Sequence, residues 1–279
     1  MKILVTGKGG KSGSWAIRAV QLGTAIGAAI KPLASLADIT EHDLTIVVKR
    51  VPSQTLQALR MSGKPWVYDL VDGWPQSGGC DWNETRSIYW LRSMLAEFNP
   101  TAIVYGTKTM QEDAGRPGLV LPHHSWQKYL DRTPLIRDEI RVVGYEGAEA
   151  YLGHWRRIVE KQCADRGWEF MINGDMRRAD VGIALRYGGG YPSRWWKPGT
   201  KLSNLHALGI PAICSREAGY VGVASGTELW VGNENDLSSA FDKIQSKDVR
   251  QDISSYMRAA ALPVDRVAAN YLEWLNRVV

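Results

Sequence analysis

The feature that most restricts this chain is an alternation: a short apolar, β-branched run, a stretch with helical spacing, then another apolar run. In the first half the runs are KILVTG (2–7), LTIVVKR (44–50), WVYDLVD (66–72), AIVYG (102–106) and LVLP (119–122). The second half has RVVGY (141–145), EFMIN (169–173), VGIAL (181–185), AICS (212–215) and ELWVG (228–232). Helical patterns over 14–22, 53–61, 83–98, 148–166, 201–208 and 235–244 separate them, with two more up to the C-terminus. Strands joined through helices must cross over to pair side by side, so the rhythm predicts α/β architecture with parallel sheets.

The run at 141–145 restarts that rhythm. We therefore expect two α/β halves of similar size, residues 1–138 and 139–262. The final segment, 263–279, places Val264, Val267, Ala268, Tyr271, Leu272 and Leu275 at helical spacing and is expected to pack one face back on the first domain.

At 279 residues, with 44% hydrophobic and 23% charged, the chain has the balance of a soluble globular protein. Its apolar runs are too short to cross a bilayer and its start reads as a strand, which points to a cytoplasmic protein. Cys80, Cys163 and Cys214 are too scattered for a disulfide framework or a zinc site. The net charge of +5 is spread over both halves and favours an anionic partner: nucleic acid, acidic lipid or a phosphorylated ligand. Twelve tryptophans either stack on bases or sugars or fill the cores.

The first strand runs into Thr6-Gly7-Lys8-Gly9-Gly10-Lys11-Ser12-Gly13-Ser14, a glycine turn that can aim backbone N–H groups at a phosphate before a helix bearing Arg18. A P-loop would need glycine where Val5 stands. Thr-Gly-x-x-Gly-x-x-Gly also matches a short-chain dehydrogenase turn, yet none of the 11 tyrosines is followed four residues later by lysine, as that chemistry requires. The glycines alone are equally consistent with a tight turn.

In the second half, strand VGIAL leads into Arg186-Tyr187-Gly188-Gly189-Gly190, a Trp195-Trp196-Lys197 segment, and a helix for which Thr200 is a natural N-cap. A helix start with Lys197 and Lys201 beside it suits a diphosphate. Gly209-Ile210-Pro211 ends that helix, and the next strand closes in the polar turn Ser215-Arg216-Glu217.

This order, with Lys201-x-x-Asn204, Ala-Leu-Gly-Ile-Pro-Ala-Ile, Gly-Thr-Glu-Leu-Trp-Val-Gly and Asn235-Asp236-Leu237, resembles the donor half of GT-B glycosyltransferases over residues 141–245. Ser14-Trp15-x-x-Arg18, Tyr68-Asp69-Leu70-Val71-Asp72 and Leu121-Pro122-His123-His124 resemble the companion domain. The resemblance implies two Rossmann-like domains facing each other across a cleft, and transfer of a sugar from a nucleotide-sugar to an acceptor hydroxyl. It points to Gly10, Gly13, Ser14, Arg18, Tyr145, Arg186, Tyr187, Gly188, Lys197, Thr200, Lys201, Asn204 and Glu217 as donor contacts, with Glu146 as a further candidate.

Retaining members of that family often carry Glu-x7-Glu where this chain has Trp196 and Asn204. For a base acting on the acceptor, Asp72 leads, followed by Asp69 and His124, with His123 beside it. No Asp-x-Asp stands on a suitable loop, so the nucleotide-sugar is expected as a co-substrate with neither metal nor resident cofactor. A hydroxymethylated base in DNA is the foremost acceptor, ahead of cell-envelope glycans, lipid carriers and natural products. The rival classes are a nicotinamide-dependent epimerase or reductase and a non-catalytic nucleotide-sugar or DNA-binding module.

Overall fold

The computed structural model describes residues 1–72, 82–134, 136–188 and 190–278. Gly73-Trp74-Pro75, which follows Asp72, and Cys80 and Gly189 lie outside the described residues. The chain forms two compact units, one of residues 1–123, 189–198 and 264–279, the other of residues 124–188 and 199–263.

Unit 1 is built on a six-stranded sheet of β1 (Ile3–Gly7), β2 (Ala29–Ile30), β3 (Leu44–Val48), β4 (Trp66–Val71), β5 (Ala102–Tyr105) and β6 (Leu119–Val120). Its order is β2-β1-β3-β4-β5-β6 and every pair is parallel. β1, β3 and β4 are buried at every position. That is why they read as unbroken apolar runs: helices cover both faces. Leu4, Val47, Tyr68, Ile103 and Tyr105 pack with Leu91 and Leu95 of the Glu84–Phe98 helix and with Met110.

Unit 2 has a five-stranded parallel sheet of β7 (Val142–Tyr145), β8 (Glu169–Ile172), β9 (Val181–Ala184), β10 (Ala212–Cys214) and β11 (Leu229–Trp230), in the order β11-β10-β9-β7-β8. Val143, Ile183 and Ile213 of the sheet meet Leu202 and Leu205 of the Thr200–Leu208 helix and Phe241 of the Glu234–Lys243 helix. The chain is therefore α/β, with one parallel sheet in each of its two units.

The unit boundaries differ from the sequence division. The first half ends at His123, not at 138, because the Gln127–Leu130 helix packs against the Thr200–Leu208 helix of unit 2. The restart at RVVGY marks the next strand, whereas the crossing itself leaves no signal. Ser125 donates its N–H to the Leu262 carbonyl at 2.8 Å and accepts the Leu262 N–H at 3.2 Å, so the two crossing segments lie side by side within unit 2. The Val264–Val278 helix packs on the Trp15–Leu22 helix of unit 1, a π-helix rather than the α-helix expected at 14–22.

Residues 190–198 belong to unit 1 although they follow β9. The buried Asp113 carboxylate holds them there, accepting the Trp196 indole N–H at 2.7 Å and the Tyr191 hydroxyl at 3.1 Å. Thr107 adds a hydrogen bond to the Trp195 carbonyl at 2.7 Å. Hydrogen bonds to a charged acceptor contribute about 1.5–3 kcal/mol each, and removing the acceptor leaves its donors buried and unmet. Asp113→Ala is therefore expected to destabilise unit 1 by about 3 kcal/mol, seen as a lower urea midpoint, with Asp113→Asn retaining part of the loss.

Candidate active site

In open parallel sheets, ligands bind outside the carboxyl ends of strands where successive connections diverge. In unit 2 that point lies between β7 and β9. β7 delivers Tyr145, Glu146 and Gly147, and β9 leads to Arg186. The Lys201 ammonium lies 5.0 Å from the Tyr145 ring centre and 5.8 Å from that of Tyr151, and the Arg186 guanidinium carbon is 5.6 Å from the Tyr151 ring. Two cations thus share an aromatic wall.

Arg186 is fixed by Glu217, 3.0 Å away, and Glu217 in turn accepts the Ser215 hydroxyl at 2.9 Å. Burial opposes the charge on Arg186, but the Tyr220 hydroxyl and the Glu217 carboxylate outweigh it and hold its pKa above the ordinary value. Glu217, 5% exposed, orients Arg186 rather than presenting itself to a sugar. Tyr187 and Gly188 are exposed after β9, the Tyr187 ring edge-on to His154 at 4.5 Å.

The helix carrying Lys201 begins at Thr200, with Gly199 and not Thr200 at its N-cap, and no side chain caps it. Glycine is required there: a Cβ at Gly199 would enter the van der Waals shell of the Gly219 carbonyl oxygen. Close approach of the Ala218–Val221 turn has displaced the usual polar cap, and such a helix start favours an anion. Gly147 is constrained by its backbone, with φ of 139°, and a Cβ there would sit 2.8 Å from Lys201 Cε and push that flexible side chain aside.

Several expected donor contacts are engaged inside the protein. Asn204, 4% exposed, accepts the Trp126 N–H at 3.2 Å and donates to Glu146 at 3.0 Å; Glu146 also accepts the Tyr129 hydroxyl at 3.1 Å. Asn204 and Glu146 therefore bind helix to strand. Lys197, grouped with Lys201 on sequence, belongs to unit 1, whereas Lys201 belongs to unit 2. Arg18 is buried in unit 1, its guanidinium bonded to the Leu121 carbonyl and 3.7 Å from Asp69. Burial pushes the Asp69 carboxyl up, with Arg18 opposing. Neither residue is available to a substrate.

Asp72 sits differently. β4 bulges between Asp69 and Val71, and Val71 has φ of 57°, strained for a β-branched residue. Lys49, just after β3, has φ of 63°. These two left-handed residues bring the Lys49 ammonium to 2.6 Å from the Asp72 carboxylate and 3.3 Å from the Ser14 hydroxyl. Strain of this kind gathers at functional sites. Gly10 and Gly13 lie exposed on the neighbouring loop. His123 and His124 are buried, and His124 falls in unit 2 rather than at a strand end of unit 1. Lys49 and Gly147 were not singled out from sequence; the Glu146-Gly147 pair following a strand was the available signal for the latter.

Two further observations frame the site. Among the described residues, Trp15, Trp66, Trp155 and Trp196 are buried and the other tryptophans are half-buried. Among the described residues, no helix is long and apolar enough to cross a membrane.

No protein-family signature and no curated protein matches the chain. Solved structures do. Anabaena Alr3699/HepE in complex with UDP is similar at a TM-score of 0.71 and 13% identity, covering 99% of this chain and 100% of that one. AviGT4, a glycosyltransferase involved in avilamycin A biosynthesis, gives 0.59 at 9% identity over 100% and 98%. Acinetobacter baumannii MurG gives 0.53 at 10% over 99% and 100%.

The Lys201 helix is anchored through His206, whose Nε2 lies 2.9 Å from Glu228. Glu228 also accepts the Ser225 and Gly226 N–H groups at 2.7 and 3.0 Å. Burial pushes the Glu228 carboxyl up, but these hydrogen bonds prevail and hold it at about 2, against an ordinary 4.5. A depressed carboxylate stabilises the fold fully above the unfolded value and loses that contribution as pH falls through the folded one. Glu228→Gln should therefore lower the melting temperature at pH 7 and flatten its fall between about pH 4.5 and 2, measured by circular dichroism. The likenesses to solved structures show the fold: the chain has the α/β, two-domain GT-B fold, with Arg186, Lys201 and an uncapped helix start at the carboxyl edge of the unit 2 sheet.

Proposed function

We propose that the protein is a glycosyltransferase that moves a sugar from a nucleoside-diphosphate donor to an acceptor hydroxyl. The observation that carries this is the pairing of Arg186 and Lys201 beside an uncapped helix start at the β7/β9 switch point. Glycosyl transfer builds charge on a leaving diphosphate, and pre-positioned cations stabilise that charge without reorganising. The similar Anabaena structures contain UDP and UDP-glucose, which makes a UDP-sugar the donor class to test first.

The proposed step is a direct displacement. The acceptor oxygen forms a bond to the anomeric carbon as its proton passes to Asp72, and the bond from that carbon to the diphosphate breaks, releasing UDP. Asp72 fits this role because Lys49 fixes its carboxylate at a strand end. The positions at which retaining enzymes often carry paired glutamates are occupied here by buried Trp196 and by Asn204, which is already bonded to Glu146. A hydroxymethylated DNA base draws no support from the tryptophans, all of them covered to some degree among the described residues.

UDP at a hundred times its dissociation constant should stabilise the protein by about 2.7 kcal/mol, seen as a rise in melting temperature. GDP, CMP and NAD should give smaller rises. Lys201→Ala and Gly147→Ala should each weaken UDP at least about tenfold, and chelating divalent metal with EDTA should leave the shift in place. Absence of a shift with every nucleoside diphosphate would remove this reading. Asp72→Asn should keep UDP affinity and lower kcat by about 10²–10⁴.

A further inference from the structure

Unit 1 has its own switch point, and the donor site does not account for it. The chain leaves β1 toward β2 at one edge, then advances from β3 toward the other edge, so the connections diverge between the carboxyl ends of β1 and β3. A pocket of about 300 Å³ opens there, lined by Lys8, Lys11, Ser12, Ser14, Lys49 and Arg50, with Trp15 and Val48 also bordering it. Four of those six residues carry positive charge. Among the described residues, the only carboxylate paired with any of them is Asp72, on Lys49. Lys8, Lys11 and Arg50 are exposed.

Like charges gathered in one hollow repel unless an anion joins them, and the apolar walls of Trp15 and Val48 concentrate their field. The hydroxyls of Ser12 and Ser14 add donors of the kind a phosphoryl oxygen accepts. Lys49 connects the pocket to the chemistry. Its strained backbone directs one ammonium both to the pocket wall, at Ser14, and to the proposed base, Asp72.

We propose that this pocket binds the phosphoryl group of the acceptor, and that the acceptor is a small phosphorylated carbohydrate. The volume of about 300 Å³ accommodates a phosphate with its adjoining sugar. The proposal rests on the glycosyltransferase reading and extends it to the acceptor.

The test titrates glucose 6-phosphate into the full-length protein saturated with UDP, by calorimetry. The wild type should bind it, and glucose should bind at least about tenfold more weakly. Lys8→Ala/Lys11→Ala/Arg50→Ala should lose at least about tenfold in affinity for the phosphate and keep UDP affinity within about twofold, which also shows that it folds. Unchanged phosphate affinity in the triple variant would overturn the proposal. So would a parallel loss of UDP affinity, which would assign the pocket to the donor's diphosphate.

A second readout is UDP release from UDP-glucose. Glucose 6-phosphate should stimulate it more than glucose in the wild type but not in the triple variant, while stronger stimulation by duplex DNA than by the sugar phosphate would overturn the assignment. If UDP does not bind at all, the donor reading fails by itself; inorganic phosphate titrated into the unliganded wild type and triple variant still shows whether the pocket holds an anion.

Discussion

Parallel strands have to hand the chain to helices on one face or the other, and where the faces change no helix covers the strand ends. Both sheets of this protein obey that constraint, and in both the uncovered point collects positive charge. Unit 2 places Arg186 and Lys201 there; unit 1 places Lys8, Lys11, Lys49 and Arg50. One cation in each group, Lys49 in unit 1 and Lys201 in unit 2, depends on special local backbone geometry. The φ values of Lys49 and Val71, and the close approaches at Gly147 and Gly199, are the local departures from regular structure on which the charged groups depend.

Buried carboxylates form the second layer of the design. Asp69, Asp113, Glu217 and Glu228 each lie within the protein and each meets its partners there: Arg18, the Trp196 and Tyr191 donors, Arg186, and His206 with the Ser225 loop. A buried charge that lost such partners would cost several kcal/mol. Two of them act on the proposed donor site at one remove. Glu217 sets the guanidinium of Arg186, and Glu228 sets the helix that presents Lys201.

Much of the architecture was legible in the sequence because a strand buried on both faces must be apolar throughout. Ile3–Gly7, Leu44–Val48 and Val181–Ala184 lie inside the runs that announced them. Short elements escaped: Ala29–Ile30 at the sheet edge, and the helices Leu36–Thr40, Lys108–Ala114 and Ala218–Val221, hold too few residues for a period to show. The single helix expected over 148–166 is a 3-10 turn at Glu149–Tyr151 followed by a helix at Trp155–Ala164. At the site, residue type was a weaker guide than position. Arg18, Asp69, Glu146 and Asn204 have the polarity of ligands, but their partners are distant in sequence and inside the fold. Lys49 gave no signal at all, since its role depends on a backbone angle that lysine seldom adopts.

The division of the chain between units also governs how the protein can be made. Unit 1 needs residues 190–198, which follow β9, and the helix Val264–Val278, which follows everything in unit 2. During synthesis its six-stranded sheet can assemble early, yet Asp113 lacks the Trp196 indole and the Trp15–Leu22 helix lacks its cover until those later segments emerge. Unit 2, whose residues lie within 124–263, is complete first. The order of completion therefore reverses the order of translation, and the amino-terminal half waits as an unfinished core for its carboxyl-terminal pieces.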